Sequence, residues 1–285
     1  MLKLALELQQ KIHQTRAMTS SHILFTTILL FTHTITYASQ SSADGQRQTS
    51  DASAAHTITI AVASNFLATA RRLVSGFESM SGHTVRIASG SSAKLYAQIR
   101  HGAPYQLFLS ADQDKPRRLI QQNLAYPDSQ FTYASGRLVL ASVQHREPAL
   151  DQLASKSIAI ANPKLAPYGL AAQQTLEFLN AARSARLITG ENISQAYQFL
   201  LSGTVDYGLV ALSQVLDSFP GRYIEIPASH FQPIRQDLVM LKTARPDTSD
   251  NYVAQQFVDH LRSTESQTLI RQAGYWINDG EPYDH

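Results

Sequence analysis

One stretch of the chain reads Thr59-Ile60-Ala61-Val62-Ala63-Ser64-Asn65-Phe66, and a second reads Val85-Arg86-Ile87-Ala88-Ser89-Gly90-Ser91-Ser92-Ala93-Lys94-Leu95. In both stretches an apolar, strand-like run ends in small polar residues, and a helical pattern of apolar residues follows at once. A turn of this kind directs several free backbone N–H groups and a side-chain hydroxyl toward one point. Two such turns facing each other would form a binding site for an oxyanion without any charged side chain.

The pattern around these turns predicts an α/β protein. From Thr57 the chain alternates strand, helix, strand, helix and strand, an order that is typical of a parallel sheet. A second alternating block starts near Ser157, and further strand-like segments lie between the two blocks. The sequence therefore predicts two α/β lobes, each built on a mostly parallel sheet that is flanked by helices.

The same pattern gives the expected boundaries of the lobes. The chain is expected to cross between the lobes near Arg137–Ser142 and to return near Gln236–Lys242. Lobe one would then comprise residues 57–137 and 238–285, and lobe two would comprise residues 138–237.

The first part of the chain has the layout of an export signal. Residues 1–38 combine a basic start, an apolar centre at residues 23–31 and a small residue before the predicted cut. The apolar centre is shorter than the roughly 20 residues of a membrane-spanning helix. The alternative to a signal sequence is an N-terminal helix that anchors the protein in the membrane. Translation is expected to start at either Met1 or Met18. Residues 39–56, rich in Ser, Gln, Asp and Ala, predict a flexible tether, so the ordered part is expected in the periplasm.

The composition excludes several classes of protein. The chain of 285 residues has no cysteine, which excludes disulfide bonds and thiol catalysis. Its 24 Lys and Arg residues nearly balance 22 Asp and Glu residues without a basic run, so we expect no nucleic-acid partner. The 10 histidines are scattered without the spacing of metal ligands, and no resident cofactor is expected.

The second block repeats the pattern of the opening turns. Asn162–Gly169 and Thr189–Ile193 each follow a strand and precede a helix. Open α/β sheets bind their ligands at the carboxyl ends of the strands, where all four turns are predicted to lie. The alternative is that Ser64 and Ser92 are ordinary helix N-caps, each worth about 1 kcal/mol.

A serine acyl-enzyme of the penicillin-binding type is an alternative from another class of protein. Ser91-Ser92-Ala93-Lys94 matches the Ser-x-x-Lys motif of those enzymes, Ser249-Asp250-Asn251 matches their second motif, and Lys242-Thr243-Ala244 nearly matches the third. The order of the last two is reversed, and the third lacks its final glycine. We therefore expect a protein that is not an enzyme.

A series of segments carries a resemblance to a known family, in collinear order from about Ile58 to Trp276. The segments are Ala61–Phe66, Ser89–Ile99, Gly102–Tyr105, Leu107–Asp112, Asn162–Pro163, Ala166–Ala171, Gly208–Gln214 and Ala273–Tyr275. Together they resemble the periplasmic molybdate-binding proteins of ABC importers, which are type II solute-binding proteins. The resemblance implies two lobes, two crossing strands that act as a hinge, and a ligand between the lobes.

The resemblance also implies a set of ligands for the molybdate oxyanion. Ser64 and Ser92 would each give a hydroxyl and an amide, with Ser91 as the alternative to Ser92. Asn65 would add an amide or its side chain. From lobe two, the backbone N–H groups of Tyr168 and Ile193 would complete the set.

Some relatives also use a tyrosine hydroxyl, at the position that is Ala211 here, and Asn65 is expected to compensate for its absence. The resemblance implies an ABC permease as the partner of a monomer. Tungstate is nearly the same size as molybdate, so we expect both to bind. A binding protein for sulfate or another oxyanion is the alternative within this class.

Overall fold

The structure is a computed structural model that describes residues 55–144, 147–242 and 248–277. The predicted signal sequence at residues 1–38 lies outside the described residues, as does all but the end of the predicted tether at residues 39–56. Within the described segments, no helix combines the length and the apolar character needed to cross a membrane.

The first part of the described chain alternates strands and helices. Its elements are β1 Thr57–Ala63, α1 Leu67–Ser81, β2 Thr84–Gly90, α2 Ser92–Arg100, β3 Leu107–Leu109, α3 Asp114–Gln121 and β4 Phe131–Gly136. A short 3-10 turn, Ser64–Phe66, joins β1 to α1. Helix α1 ends where Gly82 adopts φ = 72°, a left-handed conformation that glycine accepts without strain.

The second part repeats the alternation and then returns to the first sheet. Its elements are β5 Leu138–Ser142, β6 Ser157–Ala161, α4 Pro167–Phe178, β7 Arg186–Gly190, α5 Ile193–Leu201, β8 Tyr207–Ala211, α6 Leu212–Val215 and β9 Arg222–Glu225. The returning segment comprises β10 Ile234–Met240, α7 Thr248–Arg262 and α8 Thr264–Gln272.

The strands form two five-stranded sheets of the same design, in the orders β2-β1-β3-β10-β4 and β7-β6-β8-β5-β9. In the first sheet β1 is parallel to β2 and β3, whereas β10 is antiparallel to both β3 and β4. In the second sheet β6 is parallel to β7 and β8, whereas β5 is antiparallel to both β8 and β9. The predicted fold class, two α/β lobes with mostly parallel sheets and two crossing strands, is confirmed.

Each lobe has its own hydrophobic core. The alternation of side chains along β1 buries Ile58, Ile60 and Val62 in one core with α1 and α7, and buries Ala61 in a second with Leu95 of α2. The first sheet is therefore covered on both faces. Burial of each large apolar side chain stabilises the fold by about 1.5–3 kcal/mol.

The chain crosses between the lobes at two places. Strand β4 ends at Gly136 in the first sheet and β5 begins at Leu138 in the second. On the return, Ile234 pairs with Gly136 in the first sheet while it packs into the core of lobe two. Strand β10 lies in the first sheet along its whole length, so the predicted boundary between residues 237 and 238 falls inside this strand.

Candidate functional site

The four strand-to-helix segments predicted from the sequence converge on one small cavity between the lobes, and Ala111, which follows β3, also lines it. None of the described residues that line it has a charged side chain. The six positions singled out from the sequence all line this cavity: Ser64, Asn65, Ser91, Ser92, Tyr168 and Ile193. Each of them is buried, with at most 9% of its surface exposed. The structure thus brings together every residue of the predicted set.

The first segment is the 3-10 turn after β1. Ala63, not Ser64, occupies the N-cap position, with an extended backbone and no side-chain cap. The Ser64 hydroxyl is therefore not a helix cap, contrary to the alternative considered from the sequence. The N–H groups of Ser64 and Asn65 belong to the first turn, where a helix offers no carbonyl to accept them.

The second segment separates the roles of two adjacent serines. Ser91 is the N-cap of α2, and its Oγ accepts from the N–H of Lys94 at 3.4 Å. Ser92 is the first helical residue, and its Oγ accepts from the N–H of Ala111 at 3.0 Å. Because that oxygen acts as an acceptor, its own proton remains available for a ligand in the cavity.

In lobe two, α4 begins at Pro167, whose missing N–H makes the N–H of Tyr168 the first donor of the helix. The next two N–H groups, of Gly169 and Leu170, both donate to the Ala166 carbonyl. A Cβ atom on Gly169 would lie 2.4 Å from the Ala161 carbonyl oxygen, so only glycine lets α4 approach β6 this closely.

The fourth segment is the start of α5. Asn192 is its N-cap, and the Asn192 side chain accepts from the N–H of Gln195 at 3.1 Å. The N–H of Ile193, the first helical residue, has no intrahelical acceptor. The cavity therefore receives the N-terminal ends of α2, α4 and α5, each of which carries a partial positive charge that favours an anion.

The lobes are in contact around the cavity. The contacts are the N–H of Ala93 to the Leu165 carbonyl at 3.1 Å, Ser194 Oγ to the Ser64 carbonyl at 3.2 Å, and Lys94 Nζ to Glu191 Oε1 at 2.8 Å. Each contact joins lobe one to lobe two within one or two residues of a cavity position. The arrangement corresponds to a closed cleft.

A buried network of hydrogen bonds fixes the position of Asn65. Its Nδ2 donates to Oε1 of Gln236 at 2.8 Å, and its carbonyl accepts from the hydroxyl of Tyr275 at 2.8 Å. The Ser213 hydroxyl donates to the same carbonyl at 3.3 Å. Burial raises the pKa of Tyr275 to about 12, so this phenol stays a proton donor at neutral pH.

Sequence reasoning did not assign Gln236 or Tyr275 to the site. Gln236 lies 171 residues from Asn65 in the chain, and Tyr275 lies 210 residues from it. The only signal for Gln236 was a polar residue beside an apolar strand, which hydropathy alone interprets as a loop.

Ala211 is the last residue of β8 and is fully buried. Its N–H donates to Oε1 of Gln214 at 3.1 Å, and Ala211 is not among the described residues that line the cavity. The compensating role expected of Asn65 stays a prediction.

The hydrolase motifs do not form one site in the described part of the chain. Lys94 Nζ is paired with Glu191 rather than with Ser91, so this serine lacks the base that the Ser-x-x-Lys motif requires. Asn251 donates to the Tyr126 hydroxyl at 3.4 Å and lines a different groove. The third motif falls largely outside the described residues, at 243 and 244.

Among the described residues, no group of three or more His, Asp or Glu side chains is placed to hold a metal ion. The cavity instead offers N–H and O–H groups. It therefore suits a small solute that accepts hydrogen bonds from all sides.

Two α/β lobes, two chain crossings and a donor-lined cavity between the lobes define a two-lobed solute-binding protein. A family model described as bacterial extracellular solute-binding protein matches residues 58–276. The chain belongs to this family.

Individual relatives show which kind of solute-binding protein this chain is similar to. The molybdate-binding protein ModA of Rhodobacter capsulatus is 39% identical over 228 residues, which cover 78% of this chain and 89% of that protein. The molybdate-binding protein ModA of Azotobacter vinelandii is 38% identical over 230 residues, which cover 77% of this chain and 90% of that protein. The solved structure of the Azotobacter vinelandii periplasmic molybdate-binding protein has a TM-score of 0.70 at 36% identity, covering 77% of this chain and 99% of that chain. The resemblance to molybdate-binding proteins that was inferred from sequence segments is confirmed.

Proposed function

We propose that this protein binds molybdate in the cavity between its lobes and delivers it to an ABC permease. The observation that carries the proposal is the convergence of Ser64, Asn65, Ser92, Tyr168 and Ile193 on one uncharged cavity between the lobes. The names of the two bacterial relatives that are 38% and 39% identical support molybdate as the ligand. Tungstate, which is nearly the same size, binds at the same site.

The chemistry of the donors favours an anion without protons. Molybdate at neutral pH only accepts hydrogen bonds, and the hydroxyls of Ser64 and Ser92 together with the N–H groups of the helix starts supply donors. Hydrogen phosphate carries an O–H that needs an acceptor, so a site of donors discriminates against it. No countercharge is required, because the N-terminal ends of helices stabilise negative charge.

The two lobes have different roles in the proposed binding cycle. Lobe one, with Ser64, Asn65 and Ser92, docks the anion. Lobe two then rotates about the crossing strands and adds the N–H groups of Tyr168 and Ile193, which completes the shell of donors and excludes water. In this closed form the monomer presents itself to the permease in the periplasm, where the predicted signal at residues 1–38 directs it.

A thermal-shift panel of oxyanions tests the proposal. Molybdate and tungstate are expected to raise the melting temperature, because a ligand that binds only the folded state stabilises it. Sulfate and phosphate are expected to give no comparable shift at equal concentration. A clear shift from sulfate with none from molybdate or tungstate would replace the proposal by a sulfate-binding function, and covalent labelling of Ser91 by a fluorescent β-lactam would replace it by an acyl-enzyme.

A further inference from the structure

A compact polar cluster lies next to the cavity. Gln236, Tyr133 and Tyr168 each have at most 1% of their surface exposed. Oε1 of Gln236 accepts from Asn65 Nδ2 at 2.8 Å and from the Tyr133 hydroxyl at 3.2 Å. Gly136 makes room for the cluster, since an added Cβ atom would lie 2.2 Å from the Tyr168 hydroxyl and 3.1 Å from Gln236 Nε2.

In this arrangement the cluster has more donors than acceptors. The hydroxyl of Tyr168 and Nε2 of Gln236 are both buried and make no hydrogen bond to any described residue. N–H groups of Asn65, Arg137 and Gln236 surround the Tyr168 oxygen, though without good hydrogen-bond geometry, and burial raises the pKa of this phenol well above its ordinary value. The phenol therefore keeps its proton and needs an acceptor. Each unsatisfied buried polar atom costs about 1–3 kcal/mol.

Reversing the two amides satisfies both atoms. With oxygen and nitrogen exchanged, Gln236 Oε1 accepts the proton of Tyr168, and Gln236 Nε2 donates to Asn65 Oδ1. The Tyr133 hydroxyl is also compatible with this state, because it donates to the Ser110 carbonyl at 3.1 Å and can accept from Gln236. The terminal torsions of Asn and Gln are broad and nearly two-fold, so both orientations are accessible.

The orientation of the Asn65 amide decides what faces the cavity. Asn65 lines the cavity, and its Nδ2 donates to Gln236. From this we infer that Oδ1 is the edge of the amide left for the cavity in that orientation, and an oxygen there repels an oxyanion. When Oδ1 accepts from Gln236, the edge left for the cavity is Nδ2, which donates to an oxyanion. The same side chain is thus either an obstacle or a ligand.

We propose that Gln236 is a positioning residue that holds the Asn65 amide with Nδ2 toward the bound oxyanion and thereby selects a ligand without protons. The inference rests on the proposed function and deepens it. Gln236 contacts Asn65 and is not among the described residues that line the cavity. It acts from the crossing strand β10, whereas Asn65 lies on the turn after β1.

A double-mutant cycle tests this role. The variants are Gln236→Met, which keeps the length of the side chain without its polar atoms, Asn65→Ala, and the two combined. Calorimetric titration with molybdate is expected to show about a tenfold loss of affinity for Gln236→Met when Asn65 is present. The added loss is expected to be less than about twofold in the Asn65→Ala background, because the residue through which Gln236 acts is gone. A purely structural role would cost the same in both backgrounds, and that result overturns the inference.

A second variant tests the positioning role of Gln236 if Gln236→Met fails to fold. Gln236→Glu in its ionised form offers only acceptors, so it holds Nδ2 of Asn65 away from the cavity and leaves Oδ1 facing the ligand. The ratio of molybdate affinity to hydrogen phosphate affinity is expected to fall about tenfold or more. Measured at about pH 8, where both ligands are dianions, the ratio cancels the repulsion from the added charge. An unchanged ratio overturns the inference.

Titration of the unaltered protein distinguishes a failure of the proposed function from a failure of the positioning role. If it does not bind molybdate in the same titration, the proposed function fails and this inference fails with it. If it binds molybdate but the cycle shows no coupling between Gln236 and Asn65, only the positioning role is overturned.

Discussion

The hydroxyl oxygen of Ser92 accepts a hydrogen bond from the backbone N–H of Ala111 at 3.0 Å. Ser92 begins helix α2, and Ala111 follows β3, so this bond ties two neighbouring segments of the cavity wall together. The bond also fixes the direction of the remaining hydroxyl proton, which is left for the ligand.

Ser92→Ala is expected to weaken molybdate binding by about 10- to 100-fold, which corresponds to about 1.4–2.7 kcal/mol. The variant removes one donor to the ligand and leaves the buried N–H of Ala111 without an acceptor. Calorimetric titration measures the change. Ser79→Ala is a matched control, because the Ser79 hydroxyl is exposed on α1 and donates to the Ser75 carbonyl. Equal affinities for the unaltered protein and Ser92→Ala would remove this serine from the site.

Gly136→Ala is expected to destabilise the protein by about 1–3 kcal/mol, the usual cost of overpacking. Its Cβ atom would lie 2.2 Å from the Tyr168 hydroxyl, and this clash displaces α4 from the crossing strands. Gly76→Ala is the control, and it is expected to be neutral or stabilising. Its Cβ atom would lie 3.7 Å from the His260 ring, an ordinary contact distance, and alanine favours the helix. Thermal denaturation is expected to show a lower melting temperature for Gly136→Ala only. Equal melting temperatures for the two variants would contradict the close packing at the hinge.

The ion pair between Lys94 and Glu191 spans the mouth of the cleft at 2.8 Å. About half of each side chain is exposed, so its contribution is expected to be less than about 1 kcal/mol. Lys94→Met is expected to accelerate ligand dissociation by about two- to fivefold at low salt and to have no effect at high salt. Glu191→Gln should give the same change, and the double variant should be no faster than either. Additive effects in stopped-flow dissociation would show that the two side chains do not act as a pair.

The free energy of unfolding at alkaline pH is expected to depend on the ionisation of buried tyrosines. The pKa of Tyr275 is raised from 10.0 to about 12 by burial, so above pH 10 the unfolded chain loses this proton before the folded protein does. The free energy of unfolding is therefore insensitive to this group below pH 10 and falls by up to about 1.4 kcal/mol per pH unit between 10 and 12. Urea denaturation across this range measures the slope. Tyr275→Phe is expected to reduce it, and an equal slope in that variant would contradict the assignment.

The local features of the site were predictable from the sequence, and the long-range ones were not. Strand and helix periodicity placed Ser64, Ser92, Tyr168 and Ile193 at the ends of strands, because each signal lies within about ten residues. The choice between adjacent serines was not predictable, because a helix start is uncertain by one or two residues until its cap is seen. The cap is Ser91.

Strand β10 shows why the hinge was harder to predict. Its first half contains Arg235, Gln236 and Asp237, a polar run that hydropathy interprets as a loop. Gln236 and Asp237 are nevertheless buried. Asp237 accepts from the hydroxyl of Thr132 and from the side-chain amide of Gln130, each at 2.7 Å. Partners supplied by another part of the chain make this polar strand stable, and no local pattern records them.

Calorimetric titration of the unaltered protein with molybdate, followed by the same titration in excess sulfate, tests whether the cavity between the lobes binds molybdate in preference to sulfate. We expect one binding site per chain, and an apparent affinity for molybdate that sulfate changes by less than about twofold. Absence of heat on adding molybdate, or complete suppression of the molybdate heat by sulfate, would contradict it.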